Sequence, residues 1–326
     1  MKIRLGYVAI ALNLPKVTSS STLTYARYTK LNSNIDKINK LKEVTRSNIE
    51  DLEKILRYNI ENNIHFYRIT SNLIPLGTHP EVNFQYRTYF KKDFEYIGKL
   101  IKDNNMRVDT HPDQFNVINS LRDEVVENTI KSLKFQSQLF DDINYKNGKM
   151  VIHIGSSQGG KEESIKRFIN NLKYFPKEVV SRLILENDDK VFSARDVLNI
   201  CKDIKLPMVL DVHHHICKNN GEKLSDIINE VFDTWKNEEL PPKIHFSSPK
   251  EFDKDRKHAD FIDSKSFMDF IYLAKEKINR NFDIMIEAKK KDLALLKLVE
   301  DIKSLDKDIK FIDKDIKFID NSTFEI

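Results

Sequence analysis

Several imidazoles and carboxylates in this chain sit at or just past the end of a short apolar run: His111, His153, Glu186, Asp211 with His214, His245 and Glu287. One histidine in an apolar run is usually a core residue with its nitrogens satisfied. Repetition of the pattern in run after run argues instead that these groups converge on one pocket. Imidazole mixed with carboxylate suits Mn²⁺, Zn²⁺ or Fe²⁺, whereas an oxygen-only shell would favour Mg²⁺ or Ca²⁺. Without cations, so many carboxylates in one pocket would repel one another and lose hydration. Divalent ions remove that penalty and make hydroxide available near neutral pH, so a multinuclear site is expected. Glu186 and Glu287, near the pocket axis, are the expected bridges. Ions roughly 3.5 to 4 Å apart would stabilise both the attacking and the leaving oxygen of a phosphoryl transfer.

Two segments leave alternatives open. In Asp211-Val212-His213-His214-His215, a continuing strand would point His213 the same way as Asp211, whereas a turn after Asp211 would bring His214 inward. Lys243 precedes His245 by two residues, the repeat of a strand, so both can face one interior. A lysine buried there would be neutral, paired with a carboxylate or carbamylated; the competing reading is a surface-directed lysine at a strand start.

These groups need a scaffold that gathers distant strand ends. Short apolar runs are expected as strands over residues 4–8, 66–69, 107–110, 150–154, 182–185, 208–210, 243–246 and 283–286. Segments with helical spacing separate them, at 48–62, 90–104, 122–140, 162–174, 194–202, 223–235, 266–278 and 293–302. In the first of these, Ile49, Leu52, Leu56 and Ile60 recur on one stripe. Ser193, three residues before Asp196, reads as a helix start. Strand–helix alternation implies a parallel sheet covered on both faces, and eight strands close most economically as a TIM-type (β/α)8 barrel, whose strand ends form the active mouth. Two long loops, 9–47 and 71–88, would shape a groove there or simply pack over the helices.

No Pro-, Gly- or Ser-rich linker divides the chain, so residues 1–300 are expected to form one domain and 301–326 a charged tail. The tail holds three heptads, 301–307, 308–314 and 315–321, with DIKFID copies starting at Asp308 and Asp315. Their apolar positions two and five could support a short amphipathic helix or a partner contact, but local repeat expansion with little function, peripheral to catalysis, is the preferred reading. Charge does not decide the function, since 54 basic against 50 acidic residues leave only +4. Cys201 and Cys217 form no CxxC pair, which excludes a thiolate zinc site and fits a reducing cytosol. No signal-peptide pattern opens the chain and no apolar run is long enough to span a bilayer, so a soluble cytoplasmic protein is expected.

Taken together, certain motifs resemble the UV damage endonuclease family, which shares its barrel and trinuclear metal arrangement with the endonuclease IV type of enzymes. The motifs are Leu5-Gly6-Tyr7, Tyr67-Arg68-Ile69-Thr70-Ser71, His111-Pro112-Asp113-Gln114-Phe115 and Leu185-Glu186-Asn187-Asp188-Asp189-Lys190. Further along come Asp211-Val212-His213-His214, Lys243-Ile244-His245-Phe246-Ser247-Ser248-Pro249-Lys250, His258-Ala259-Asp260 and Ile286-Glu287-Ala288-Lys289. The resemblance implies metal ligation by His111, His153, Glu186, Asp211, His214, His245, His258 and Glu287, choosing His214 among the three histidines. It implies three divalent ions, Mn²⁺ before Zn²⁺ or Fe²⁺, and active-site roles for Lys243 and His79.

The same resemblance implies that Gln114 and Phe115 probe or wedge into a distorted duplex, Phe115 standing where some relatives have Tyr. Tyr7 and Asn13 would belong to the amino-terminal groove. Lys250 and Lys289 would contact phosphate, and Arg68 either phosphate or an internal carboxylate. The implied partner is damaged double-stranded DNA, acted on by a monomer that associates with the nucleoid when bound. The implied reaction hydrolyses the phosphodiester immediately 5′ to UV photoproducts, with abasic sites as a further substrate class, by metal-activated water, leaving 3′-hydroxyl and 5′-phosphate ends. A sugar isomerase would need a closed sugar pocket with a proton-transfer pair, and an inactive damage-binding protein would bind irradiated duplex without nicking it.

Overall fold

In a computed structural model that describes residues 1–308 and 316–326, eight parallel strands close into a barrel. They are β1 (Lys2–Val8), β2 (Phe66–Ile69), β3 (Arg107–Thr110), β4 (Lys149–His153), β5 (Leu183–Glu186), β6 (Met208–Asp211), β7 (Lys243–Phe246) and β8 (Phe282–Ile286). Each pairs with the next, β8 pairs with β1, and β1 returns to β2 at Tyr7 and Val8. The expected TIM-type barrel is therefore the fold, and the strands at 66–69, 107–110 and 243–246 have the expected bounds.

The surrounding helices are α1 (Tyr25–Thr29), α2 (Asn34–Glu61), α3 (Tyr86–Asp103), α4 (Asp123–Asp142), α5 (Lys161–Leu172), α6 (Lys177–Val180), α7 (Ala194–Ile204), α8 (Val212–Cys217), α9 (Leu224–Asp233), α10 (Ser264–Lys277) and α11 (Lys291–Asp308). Ser193 caps α7 with a reciprocal bond to Asp196, as the sequence suggests.

One expectation is corrected at α2, which starts at Asn34 rather than Asn48 and takes a third of the predicted 9–47 loop. Its first half is mostly polar and exposed, burying Leu41 and Thr45, so it carries little periodic signal. Its start is nevertheless written in Ser33, whose hydroxyl accepts the Asp36 N–H at 3.1 Å. The stripe itself runs through Ile49, Leu52, Ile55, Leu56 and Asn59, with Ile60 only half-buried.

Both long loops are pinned to α2 by one fully buried amide. Asn48 accepts the Ser21 N–H at 2.8 Å and donates to the Ser21 and Leu73 carbonyls at 3.0 Å each. They thus pack on a helix and are fixed to each other beside the mouth.

At the opposite end of the barrel, β1 reaches below the start of β2, leaving its lower edge unpaired by that strand. A hairpin of β9 (Lys317–Phe318) and β10 (Thr323–Glu325) fills the gap, with β10 antiparallel to β1 at Lys2, Ile3 and Arg4. Ser322 spans the seam, its carbonyl accepting Leu5 N–H at 2.7 Å and its hydroxyl donating to Asn63 O at 2.7 Å. The boundary expected after residue 300 falls inside α11, because Leu295, Leu298, Val299 and Ile302 continue one buried stripe. The last heptad, for which a helix was one of the alternatives, instead contributes the short strand β9 (Lys317–Phe318), whose Phe318 packs on the buried Phe324. The middle heptad from residue 309 onward lies outside the described residues.

Inside the barrel, alternate residues of each strand stack in layers that carry charge, where branched aliphatics usually dominate. At the base, Asp283 accepts from Arg4 at 2.5 Å and from Arg107 at 2.7 Å. Above it Lys243 pairs with Asp109, and above that Arg68 pairs with Asp109 at 3.2 Å and Glu287 at 2.6 Å. The Phe66 ring lies between the levels, with Arg107 5.1 Å, Lys243 5.8 Å and Arg4 6.0 Å from its centroid. Gly6 makes room for it: a Cβ there would meet the Phe66 carbonyl at 2.5 Å and its ring at 2.6 Å.

Phe324→Ala should cost about 3–5 kcal/mol, the range for emptying a buried phenylalanine site, as read from urea unfolding. A loss under about 1 kcal/mol would mean that β10 is not integral to the barrel.

Candidate metal centre

Parallel pairing puts the upper ends of the strands around one mouth. His153 and Glu186 are the last residues of β4 and β5 and lie in register, as do Asp211 of β6 and His245 of β7. His111 follows β3 and Glu287 follows β8 by one residue. Glu186, Asp211 and His245 are at most 1% exposed, while His111, His153 and Glu287 open toward solvent.

The groups form three sets: His111, His153 and Glu186; Glu186, His245 and Glu287; and Glu186, Asp211 and His214. In each, the ligand atoms lie within 4.8 Å of one another, and Glu186 belongs to all three. Its Oε2 is 3.1 Å from His111 Nε2 and 3.5 Å from His153 Nε2. Its Oε1 is 2.6 Å from His245 Nδ1 and 3.8 Å from His214 Nδ1. His245 Nδ1 also lies 3.3 Å from Glu287.

The local hydrogen bonds fit a cation. His111 Nδ1–H donates to the Pro112 carbonyl at 3.0 Å, which turns Nε2 toward Glu186. His214 Nδ1–H donates to the Asn187 carbonyl at 2.9 Å, which leaves its Nε2 free to ligate. Asp211 Oδ1 accepts the His214 N–H at 2.7 Å, but its buried Oδ2 has no hydrogen-bond partner. A buried carboxylate oxygen left so is expensive unless a cation reaches it.

Protonation alone balances this pocket poorly. Burial pushes the Asp211 carboxyl up to about 7 despite His214. Burial opposes charge on Glu186 as well, yet His245 and His153 hold it well below the usual carboxylate range. Burial likewise pulls His214 down, but Asp211 and Glu186 outweigh it and carry the ring up to about 9, while burial pushes His245 down to about 4. Divalent cations would replace this uneven set of protons with fixed positive charge, and three overlapping donor sets suit a multinuclear divalent-metal site.

Local folding separates the three histidines. β6 ends at Asp211, which caps α8, and the turn brings His214 inward. His213 is buried with Nε2 3.9 Å from Cys217 Sγ, and His215 Nε2–H donates to the Glu222 carbonyl at 3.1 Å. His258 belongs to none of the three sets; its ring centroid lies 6.3 Å from that of His214 and 5.6 Å from that of His213.

Lys243 is fully buried and paired with Asp109, which rules out the surface-directed reading. Burial pushes its ammonium down to about 8, with Asp109 opposing. Arg68 is 5% exposed and is held by Asp109, Glu287 and His245 Nε2, an internal pairing that was one of its two expected roles. Tyr7 is a correction: it is fully buried, donating to Asn59 Oδ1 on α2 at 2.7 Å, and offers nothing to the groove. The strand pleat turns Tyr7 outward onto α2 at Asn59, which takes its ring into the wall.

His79 lies in the β2–α3 loop, stacked on Tyr25 of α1 with centroids 4.0 Å apart, outside the three sets. Gln114 and Phe115 are exposed in the β3–α4 loop, Phe115 at 77%, with its N–H donating to Asp113 Oδ1 at 2.9 Å. Asn13 is exposed beside β1 and donates to Tyr58 at 2.9 Å; Lys250 and Lys289 are exposed near β7 and β8, with Lys250 3.2 Å from Glu251.

Two supporting residues escaped the sequence reading. Asp109 takes both Lys243 and Arg68, and its spacing two before His111 was the available signal. Asn187 accepts the Asp211 N–H at 2.9 Å and donates to the Asp211 carbonyl at 3.0 Å, locking β5 to β6 beside Glu186.

A family model described as UV-endonuclease UvdE matches residues 3–319. The chain is 39% identical over 306 residues to the UV DNA damage endonuclease of Bacillus cereus (strain Q1), covering 94% of this chain and 96% of that protein. It superposes on the crystal structure of SacUVDE with a TM-score of 0.83 at 36% identity, over 94% of this chain and 99% of that one. Endonuclease IV from Thermus thermophilus shares the fold, with a TM-score of 0.55 at 13% identity over 92% of this chain and 99% of that one.

Addition of Mn²⁺ at about 100 times its Kd should raise unfolding free energy by about 2.7 kcal/mol, and Glu186→Gln should lose both that increment and bound metal. Melting with Mn²⁺ against EDTA, with elemental analysis, checks this; an equal increment in the variant would refute a shared carboxylate.

Proposed function

The chain belongs to the UV-endonuclease UvdE family, and from that premise we infer that it is a metal-dependent DNA-repair endonuclease acting at UV photoproducts. The observation that carries this reading is Glu186, one buried carboxylate common to three His/Asp/Glu sets at the open end of the barrel. Divalent ions, when bound, supply Lewis acidity to a phosphate and bring the pKa of water toward neutrality.

His111 and His153 with Glu186, His245 and Glu287 with Glu186, and Asp211 and His214 with Glu186 would hold three ions, with His258 completing the His214 side. The mixed imidazole and carboxylate donors suit Mn²⁺, Zn²⁺ or Fe²⁺, and the family resemblance puts Mn²⁺ first. Incision falls on the 5′ side of the lesion and leaves 3′-hydroxyl and 5′-phosphate ends. Glu186 and Glu287 fix the spacing of the charges that face the phosphate. Lys243 acts from below through Asp109, which steadies Arg68 and, through it, Glu287. His79 would meet the substrate backbone from the loop beside the mouth.

The partner is damaged double-stranded DNA. Phe115, exposed on a loop tied by Asp113, would fill the space left by unstacked bases, and the Gln114 amide would both donate and accept there. Asn13, Lys250 and Lys289 would contact the flanking backbone. Selectivity comes from deformation: a lesion that has already weakened stacking lowers the cost of bending the duplex onto the site.

A duplex carrying one defined cyclobutane dimer and an end label should be nicked 5′ to the dimer with Mn²⁺ and left intact in EDTA. Glu186→Gln should lower the rate by more than about 100-fold, beyond the usual cost of losing a supporting partner. Tight binding to the dimer without any nicking would instead identify a damage-binding protein. Phe115→Ala should cost about 1–3 kcal/mol of preference for damaged over intact duplex, measured as a ratio of Kd values; an unchanged ratio removes the wedge.

A further inference from the structure

We propose that Lys291 is a phosphate-holding residue of the incision site, its ammonium gripping a backbone phosphate of the damaged strand beside the metal centre. The inference rests on the endonuclease reading and adds to it a residue outside the motifs that led there.

A cavity of about 120 Å³ opens next to the metal centre, with Val8, Arg68, His258, Glu287, Lys289 and Lys291 in its wall. It is about four times the roughly 30 Å³ that one water occupies in the liquid, so it has room for a group larger than a single water. Three cations reach it. Arg68 is committed to Glu287 and Asp109, and Lys289 is exposed on the rim. Lys291 is half-buried, and among the described residues its side chain makes no hydrogen bond or ion pair. Burial pulls its ammonium down, with Glu287 opposing. A cation kept partly dry and without a carboxylate of its own is suited to an anion supplied by substrate.

The backbone indicates that this placement is imposed. Lys291 has φ of +49°, in the left-handed region that favours glycine. Anchors fix the chain on both sides. The N–H groups of Lys289 and Lys290 donate to the Ala259 and Asp260 carbonyls, each at 3.0 Å. The buried Asp292 carboxylate accepts Leu12 N–H at 2.6 Å, Asn13 N–H at 3.1 Å and the Tyr58 hydroxyl at 3.0 Å. Residue 291 bridges the β7 loop and the β1 loop in a conformation in which glycine would be cheaper, yet a long cation occupies it. Strain of this kind at a pocket wall points to function.

The test uses Lys291→Gly, Lys291→Met and Lys291→Arg in the full chain. Lys291→Gly relieves the backbone, so its Tm should equal or exceed wild type while nicking of a dimer-containing duplex falls about 10- to 100-fold in kcat/KM. In EDTA, the slope of log Kd against log salt for that duplex should drop by about one in both the Gly and Met variants, the change expected for one lost phosphate contact. Bound Mn²⁺ should stay at the wild-type level, and Lys291→Arg should recover most of the turnover. A Lys291→Gly protein that is more stable with unchanged kcat/KM and salt slope would overturn the inference, as would a loss that follows lost Mn²⁺. Failure of the wild-type protein to nick would sink the endonuclease reading instead, whereas the metal-free salt slope tests Lys291 independently of it.

Discussion

A carboxylate at 1% exposure is the constraint to which the rest of the mouth answers. Removing Glu186 from water costs several kcal/mol before any partner is counted. The chain offsets this by aiming imidazoles at it from the β3 end, β4, β7 and α8. Since those donors come from four separate elements, the arrangement exists only when the barrel is closed. Folding and assembly of the metal-binding geometry are thus one event, with the cations as its final components.

Precision at the mouth is inherited from below. Asp283 and Arg107 pair below Phe66, and above it Lys243, Asp109, Arg68 and Glu287 alternate in sign toward the mouth. Pairs of this kind add little net stability compared with well-packed aliphatics. Their effect is directional, since each side chain is fixed by charged neighbours above or below. Carbonyl acceptors do the same for the imidazoles: Pro112 and Asn187 set the rings of His111 and His214. Such preorganisation leaves little reorganisation to be made when substrate arrives.

Much of this was legible in the sequence because strand ends carry a simple signal, an apolar run closed by a metal-binding side chain. Glu186, His153, Asp211 and His245 were all readable in that way. Where the reading failed, a competing physical effect had no local signature. The first half of α2 is stabilised by its Ser33 cap and helix continuity rather than by a hydrophobic face. Tyr7 resembles a groove residue in its motif, but the pleat turns it toward Asn59. Arg68 was open between phosphate and carboxylate because its partners, Asp109 and Glu287, lie 41 and 219 residues away in sequence. The tail's repeats offered a helix or a partner contact, while the vacancy that β10 fills at the β1 edge, just past the repeats, is created by strands far from it in sequence.

The Phe66 ring also separates the two halves of the barrel interior. Among the described residues no ion pair joins the Arg4, Arg107 and Asp283 group beneath it to the Lys243, Asp109 and Arg68 group above. The ring's faces accept cations from both levels without a hydrogen-bond geometry that would transmit rotation from one to the other. The charge of Arg107 is nonetheless felt across the ring by Asp109 and Lys243. The aromatic partition thus blocks contact between the two floors of the barrel while letting their fields couple.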